Sequence, residues 1–195
     1  MFVFRSFKIG LFCLFLFLHR FSFGQSVDVE ISSDPNIELS FNTVAKLTNG
    51  IVIPNAITVN VTAVGTTWDL YTGAVTSVAG TWDNAQYYSS GGNGTIPVNI
   101  LSMRAHNLSN TTVSSGYIPM QDIASSTMDI IGNHFAPDPL VNCSDLNHVG
   151  TNATGSYLND PQCYQFRIDL KATPGIFYRP GVYTMQIVFI IAQDL

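Results

Sequence analysis

Few residues of this chain could carry acid–base or nucleophilic chemistry. Beyond residue 24 the sequence holds three histidines (His106, His134 and His148) and two glutamates (Glu30 and Glu38). Neither the Gly-x-Ser-x-Gly pattern of serine hydrolases nor the His-Glu-x-x-His pattern of zinc proteases occurs. Both glutamates alternate with apolar neighbours, which indicates solvent-facing positions on strands. A carboxylate pair among the aspartates stays open. We predict no catalytic residue and no enzymatic activity.

A second set of polar residues lies between positions 133 and 162. His134, Asp138, Asp145 and His148 carry metal-ligating side chains, but their spacing matches no defined metal site. The abundance of Asn, Asp, Gly, Pro and Ser in this segment is typical of turns. We predict a long loop here, and neither a metal ion nor another cofactor.

The cysteines favour a disulfide over a reactive thiol or a metal pair. Cys13 falls in an apolar leader, which leaves Cys143 and Cys163. An even pair in an exported chain is typical of one disulfide, and the two positions lack C-x-x-C spacing. A Cys143–Cys163 bridge would close the long loop and stabilise the fold by about 3 kcal/mol in the chain-entropy model.

Three aromatic residues, Trp82, Tyr87 and Tyr88, precede a glycine-rich segment at residues 89–94. Its sequence, Ser-Ser-Gly-Gly-Asn-Gly, predicts a flexible loop. Exposed aromatic rings beside a loop can stack on sugar rings, which makes these residues candidates for binding a glycan. The alternative is that the same rings pack in the core or across a hairpin.

The first 24 residues indicate export. Arg5 and Lys8 supply positive charge, residues 9–18 form an apolar run, and Ser22 and Gly24 are small residues where a signal peptidase requires them. The run is about ten residues long, whereas a membrane span needs about twenty. We predict a signal peptide over residues 1–24 and a mature protein that is secreted, periplasmic or at the cell surface.

The chain without this leader is acidic. Five basic and thirteen acidic residues remain among 171 positions, a formal net charge of −8. Nucleic acids and anionic lipid surfaces require a basic face, so we predict neither as a partner.

Residues 183–192 are apolar on both faces but too short to span a membrane, and they predict a buried strand. Length and composition predict one domain over residues 25–195.

Apolar and polar residues alternate in several short segments, which is the period of strands with one buried face. The first apolar residues of these alternating segments are Val27, Ile37, Ile57, Trp68, Ile96 and Phe166. Residues 128–131 fit a short strand or one helical turn. Trp68 and Leu70 share one face of a strand and are predicted to lie in the core. The pattern predicts an all-β fold, a Greek-key immunoglobulin-like β-sandwich, with a small β-barrel as the alternative.

Two segments resemble exported sandwich domains of bacterial surface proteins. Residues 66–71 read Thr-Thr-Trp-Asp-Leu-Tyr and place Trp-x-Leu on a new strand, which resembles the WxL surface domains. Residues 166–192 contain a Gly-Val-Tyr-Thr entry to a long last strand, which is similar to spore-coat-U and chaperone–usher pilin-like domains. The first resemblance implies cell-wall binding, and the second implies assembly into fibres.

Together these patterns predict an exported structural or adhesive cell-surface protein without catalytic activity. The alternative is a carbohydrate-binding module that uses Trp82, Tyr87 and Tyr88. The expected partner is a cell-surface glycan or another surface protein. The alternating strand at residues 25–32 can pair within its own sheet or complete the sheet edge of another copy, so a homo-oligomer formed by strand donation stays open.

The leader gives a first testable prediction. Cleavage between Gly24 and Gln25 should yield a secreted chain that begins at Gln25, because Ser22 and Gly24 satisfy the small-residue rule. N-terminal sequencing or the intact mass of secreted protein measures this directly. Recovery of the uncleaved chain in the membrane fraction would contradict it.

Overall fold

The computed structural model describes residues 24–34, 36–108, 116–126, 128–131, 147–148 and 151–194. Its strands, numbered along the chain, are β1 (Ser26–Ser33), β2 (Ile51–Val64), β3 (Thr67–Val75), β4 (Asp83–Tyr87), β5 (Leu101–His106), β6 (Ile118–Pro119), β7 (Met128–Ile131), β8 (Asn147–His148), β9 (Thr151–Asn152), β10 (Gly155–Ser156), β11 (Gln165–Ala172), β12 (Gly181–Thr184) and β13 (Gln186–Asp194). Two short helices, α1 (Val44–Asn49) and α2 (Pro161–Tyr164), and a 3₁₀ turn (Val98–Ile100) lie between strands. Among these residues, no helix has the length and apolar character needed to cross a membrane.

The strands form two main antiparallel sheets. The larger sheet has the order β1-β2-β11-β5-β6, with β10 also paired to β2, and the smaller sheet has the order β13-β3-β7. Apolar side chains from both sheets belong to one hydrophobic core. The predicted all-β, sandwich-like fold is confirmed, and the sheets built by the described strands do not close into the alternative barrel.

Trp68 of β3 lies at the centre of this core. Its ring centroid is 6.3 Å from that of Phe166 on β11 and 6.0 Å from that of Tyr164 in α2. The indole Nε1 donates a hydrogen bond to the carbonyl oxygen of Ala153 at 2.9 Å, so the one polar atom of the side chain is satisfied. Trp68 and Leu70 are both fully buried, as their spacing predicts.

β1 pairs with β2 along its whole length, from Ser26 opposite Val64 to Ser33 opposite Ile57. The alternating strand at the predicted mature N-terminus therefore pairs within its own sheet, which is one of the two arrangements that the sequence allows. Strand donation to a neighbouring copy stays a hypothesis.

The ladder between β2 and β11 is interrupted by a bulge. The register shifts between Ile168 and Leu170, where β2 carries two more residues than β11. Asn55, in the bulge, has a φ of 51°, and its N–H donates to Oδ1 of Asp169 at 2.8 Å. The carboxylate of Asp169 thus supplies an acceptor to a backbone donor that lies outside the regular ladder.

The same carboxylate connects β11 to β5. Arg104 donates to Asp169 Oδ2 from Nε at 3.2 Å and from Nη2 at 2.5 Å, and Nε2 of His106 lies 3.2 Å from Oδ1. Asp169 is only 3% exposed and His106 only 5%. Burial alone would raise the pKa of Asp169, but the hydrogen bonds from Asn55, Arg104 and His106 outweigh it and hold that pKa below its ordinary value.

Residues 37–41 do not form the strand that their alternation predicts. Ile37, Leu39 and Phe41 are half-buried and pack against the core, but the segment pairs with no strand among the described residues. A helix that the sequence did not predict, α1, follows at once. The side chain of Thr43 caps it by accepting the N–H of Lys46 at 3.2 Å.

Residues 96–100 also differ from the predicted strand. Ile96 and Val98 are buried, in agreement with the alternation, but the chain enters the 3₁₀ turn Val98–Ile100 and the strand begins only at Leu101. Pro97 lacks an N–H and cannot donate to a ladder, so this segment makes one isolated bridge to Thr81.

The apolar end of the chain forms two strands and not one. β12 pairs with β4, β13 pairs with β3, and Met185 separates them. The prediction that this strand is buried on both faces is wrong for β13. Ile187, Phe189 and Ile191 pack against the core, whereas Ile190 on the opposite face is exposed. Residues 128–131 are a strand, β7, paired with β3.

Two further predictions fall on positions outside the described residues. The signal peptide is predicted over residues 1–24, of which only Gly24 is described. Cys163 is buried in α2, but Cys143 is not among the described residues, so the Cys143–Cys163 bridge stays a prediction.

The substitution Asp169→Asn tests the network at the bulge. It keeps an acceptor for Asn55 but removes the charge opposite Arg104 and His106, and it should lower the free energy of unfolding at pH 7 by about 2–4 kcal/mol. Because the folded pKa of Asp169 is depressed, this difference should be complete above about pH 5 and shrink as the pH falls below about 3.9 and through the folded value.

Urea unfolding measured across this pH range checks the prediction. Asp28→Asn, at an exposed carboxylate on β1, is the matched control and should leave stability unchanged. Equal stability of wild type and Asp169→Asn at pH 7 would contradict the proposed role of the network.

Candidate binding surface

β4 and β12 form a two-stranded ribbon next to the smaller sheet, with Tyr87 opposite Gly181. Met185 joins β12 to β13, whose first residue, Gln186, lies opposite Val75 at the end of β3. The ribbon therefore adjoins the Val75 end of the smaller sheet. We define the aromatic ribbon as β4, β12 and the loops 88–94 and 175–180.

The connection from β3 to β4 is fixed by the carboxylate of Asp122. It accepts hydrogen bonds from the N–H of Gly80 at 2.8 Å, the N–H of Ala124 at 2.9 Å and the hydroxyl of Thr76 at 3.0 Å. The bond from Gly80, followed by that from Ala124, lowers the pKa of Asp122 below its ordinary value. An ionised Asp122 thus holds the loop that leads into the ribbon.

Tyr87 is held on several sides. The guanidinium of Arg179 lies 4.4 Å from its ring centroid, a cation–π contact, and the ring of Tyr183 meets it edge-on at 6.1 Å. The Tyr87 hydroxyl donates to the carbonyl oxygen of Gly94 at 3.2 Å. The Tyr183 hydroxyl donates to the carbonyl oxygen of Arg179 at 2.8 Å. Burial, with the nearby Tyr87, raises the pKa of Tyr183.

The glycine-rich loop has a defined course, although its sequence predicts flexibility. The N–H of Asn93 donates to the carbonyl oxygen of Phe177 at 3.0 Å, and the N–H of Arg179 donates to the carbonyl oxygen of Asn93 at 2.7 Å. Gly92 has a φ of +88°, and a Cβ there would lie 2.9 Å from the backbone nitrogen of Arg179. Glycine at this position lets the two loops approach closely.

The outer part of the aromatic ribbon displays large apolar side chains to solvent. Tyr88 is 64% exposed, Ile176 59% and Phe177 80%, while Tyr87 is 42% exposed. The N–H of Tyr88 donates to the carbonyl oxygen of Pro180 at 2.9 Å, which fixes the backbone that carries its ring. The exposed side chains therefore sit on two loops that are hydrogen-bonded to each other.

The three aromatic residues predicted to stack on sugars have different environments. Trp82 is half-buried against the core and its Nε1 is buried, which agrees with the packing alternative. Tyr87 is engaged by Arg179 and Tyr183, and Tyr88 is exposed. Ile176 and Phe177 were not predicted; an apolar pair directly after the Pro174-Gly175 turn was the available signal.

His106 is not placed as a general base. Its Nε2 faces the Asp169 carboxylate, and its Nδ1 lies 3.1 Å from the carbonyl oxygen of Asn107. Both ring nitrogens thus face oxygen atoms of the protein itself. Glu30 is exposed and accepts a hydrogen bond from the Tyr157 hydroxyl at 2.7 Å, and Glu38 is also exposed.

The segment with metal-ligating side chains is mostly not described. His134, Asp138 and Asp145 lie outside the described residues, and His148 lies in β8. Within the ranges that the structure describes, no three His, Cys, Asp or Glu residues are grouped so that they could hold a metal ion.

No protein-family model matches this sequence, and no characterised protein is significantly similar to it. The resemblance to WxL and pilin-like domains accordingly stays a prediction.

Two adjacent glycines test the packing of the aromatic ribbon. Gly92→Ala should destabilise the protein by about 1–3 kcal/mol, because it combines an unfavourable φ with a close contact to the Arg179 backbone. Gly91→Ala is the control, since a Cβ added at Gly91 would meet no atom within 4 Å. Urea unfolding curves measure both, and equal stability of the two variants would contradict the packing described above.

Proposed function

We propose that this chain is an exported adhesive protein of the cell surface, without catalytic activity, and that the aromatic ribbon is its contact surface. The observation that carries the proposal is the exposure of Tyr88, Ile176 and Phe177 on loops held by backbone hydrogen bonds. Exposed apolar side chains that are grouped together are typical of sites that bind another molecule.

The order of the aromatic ribbon favours binding. Arg179 and Tyr183 hold Tyr87, and Asn93 holds the backbone next to Phe177. Because these groups are already ordered, binding a partner would cost this protein less conformational entropy than it would if the loops were mobile. Large exposed rings then contribute apolar area at a low entropic cost.

The leader and the composition support a location outside the cytoplasm. A positively charged start, an apolar run of about ten residues and small residues at Ser22 and Gly24 are typical of a cleaved signal. The even pair Cys143 and Cys163 suits an oxidising compartment. We therefore place the mature protein in the secreted, periplasmic or cell-surface fraction, where its partner is a surface glycan or another surface protein.

Carbohydrate binding is the second candidate, and the exposed ring of Tyr88 favours it. A tyrosine ring can cover the apolar face of a sugar while its hydroxyl bonds to a sugar hydroxyl. Trp82, being half-buried, would not contribute a stacking surface, so such a site would use Tyr88 together with Phe177.

Binding to intact cells tests the adhesive function. The double variant Tyr88→Ala/Phe177→Ala should bind cells of the producing organism about tenfold more weakly than wild type, because it removes two exposed rings. Leu158→Ala is the matched control, since Leu158 is 75% exposed but lies outside the aromatic ribbon. Fluorescently labelled secreted protein gives the binding curves.

Unchanged binding of the double variant, or equal loss in Leu158→Ala, would contradict the role of the aromatic ribbon. A glycan array with the same three proteins separates the two candidates. Binding to defined neutral glycans that is lost in the double variant would identify the carbohydrate-binding function.

A further inference from the structure

The few basic residues of the chain are unevenly distributed. Beyond the leader they are Lys46, Arg104, Arg167, Lys171 and Arg179. Arg104, Arg167 and Lys171 lie on β5 and β11, which are neighbours in the larger sheet, whereas Lys46 is in α1 and Arg179 is in the aromatic ribbon. Three of the five positive charges are thus on two adjacent strands of an otherwise acidic protein.

The register of these strands places the three cations on one face. Arg167 lies opposite His106, Asp169 opposite Arg104, and Lys171 opposite Ser102. Directly opposed residues of an antiparallel pair point to the same side of the sheet, and residues two apart do so as well. The intervening residues of β11, such as Ile168, are buried in the core, so the cations occupy the outer face.

Tyr117 and Asp169 order this cluster. The ring centroid of Tyr117 lies 4.9 Å from the Arg104 guanidinium and 5.5 Å from the Lys171 ammonium. Asp169 forms an ion pair with Arg104, whose side chain stays 39% exposed. Among the described residues, Arg167 and Lys171 have no carboxylate partner, so the charge of these two side chains is not neutralised by an ion pair.

Beside the cations, β2 carries uncharged hydrogen-bonding groups on the outer face, and beyond them on β1 the carboxylates of Asp28 and Glu30 lie opposite Thr62 and Asn60. Asn60 on β2 accepts a hydrogen bond from Gln165 at 2.6 Å, and the hydroxyls of Thr62 and Ser156 lie 3.0 Å apart. The outer face of the larger sheet therefore offers cations on β5 and β11, amides and hydroxyls beside them, and carboxylates at the β1 edge. This mixture suits a ligand that carries both anionic groups and hydroxyls.

We infer that Arg104, Arg167, Lys171 and Tyr117 form a second binding site, which takes an acidic polysaccharide through its carboxylate or sulfate groups. Arginine and lysine bind such anions by charge-assisted hydrogen bonds, and the guanidinium fork matches their planar or tetrahedral oxygens. The fixed spacing of side chains along β5 and β11 suits an extended polymer with repeated charges. Residues 25–195 carry a formal net charge of −8, so attraction of an anionic polymer must come from the local cations on β5 and β11.

Affinity electrophoresis and calorimetry with three polymers test this inference: polygalacturonate carries carboxylates, dextran sulfate carries sulfates, and dextran is neutral. The secreted wild-type protein should bind at least one of the two anionic polymers, and added salt should weaken that binding. Arg167→Gln/Lys171→Gln should reduce the affinity by about tenfold, since it removes both unpaired cations. Lys46→Gln, at an exposed cation in α1, is the matched control and should bind as wild type does.

Two further variants keep the result interpretable. Arg167→Lys/Lys171→Arg preserves both charges and should retain binding, which separates loss of charge from loss of the fold. Tyr88→Ala/Phe177→Ala should also retain binding, because the aromatic ribbon is a separate surface. If this double variant still binds the anionic polymer but no longer binds cells, the site on β5 and β11 is separate from the proposed adhesive surface.

Selective binding of polygalacturonate or of dextran sulfate would identify the anionic group that the site accepts. Binding of neither polymer, or equal binding of neutral dextran, would overturn the inference. Equal loss of affinity in Lys46→Gln would show a general charge effect and would also overturn it. Polyglutamate, an acidic polypeptide, is measured as a fourth polymer; if it binds more tightly than both anionic polysaccharides, the face is assigned to an acidic protein and the inference is overturned.

Discussion

The carboxylate of Asp169 joins β2, β11 and β5 where the ladder of the larger sheet is interrupted. The bulge at Asn55 leaves a backbone N–H without a regular ladder acceptor, and the carboxylate accepts it. A buried charge is tolerated only when its hydrogen-bonding capacity is filled, and Arg104 and His106 provide the remaining donors. These bonds fix the orientation of Arg104. Because the ring of Tyr117 packs against the Arg104 guanidinium, they also order the outer face of the larger sheet.

Alternation in the sequence predicts burial better than it predicts hydrogen bonding. It correctly marks β1, β2, β3 and β11 and places Trp68 in the core. It also marks the inward side chains of residues 37–41 and 96–100, yet neither segment is a strand, because a chain can bury every second side chain without a neighbour to pair with. The short helix α1 has no apolar stripe, and the sequence pattern therefore contains no helical period there.

The two proposed binding surfaces depend on contacts between distant parts of the chain, and local sequence patterns cannot reveal these contacts. Tyr88 and Phe177 are almost ninety residues apart, and their loops are hydrogen-bonded to each other where β4 pairs with β12. Arg104 and Arg167 share a face because of the register of β5 against β11. The Trp82, Tyr87 and Tyr88 hypothesis rests on local composition, and only the fold distinguishes the half-buried indole of Trp82 from the exposed phenol of Tyr88.

The pairing of β1 with β2 and of β13 with β3 brings both ends of the domain to the same side. Ser26 lies opposite Val64, and Asp194 lies opposite Thr67, so the polypeptide enters β1 and leaves β13 beside the same turn between β2 and β3. The aromatic ribbon adjoins the other end of β3, about 25–30 Å away at the usual rise of a strand. A segment joined to either end of the domain would thus be tethered on one side, with Phe177 and Tyr88 held toward the opposite side. An attachment at either end would therefore leave the proposed contact surface unobstructed.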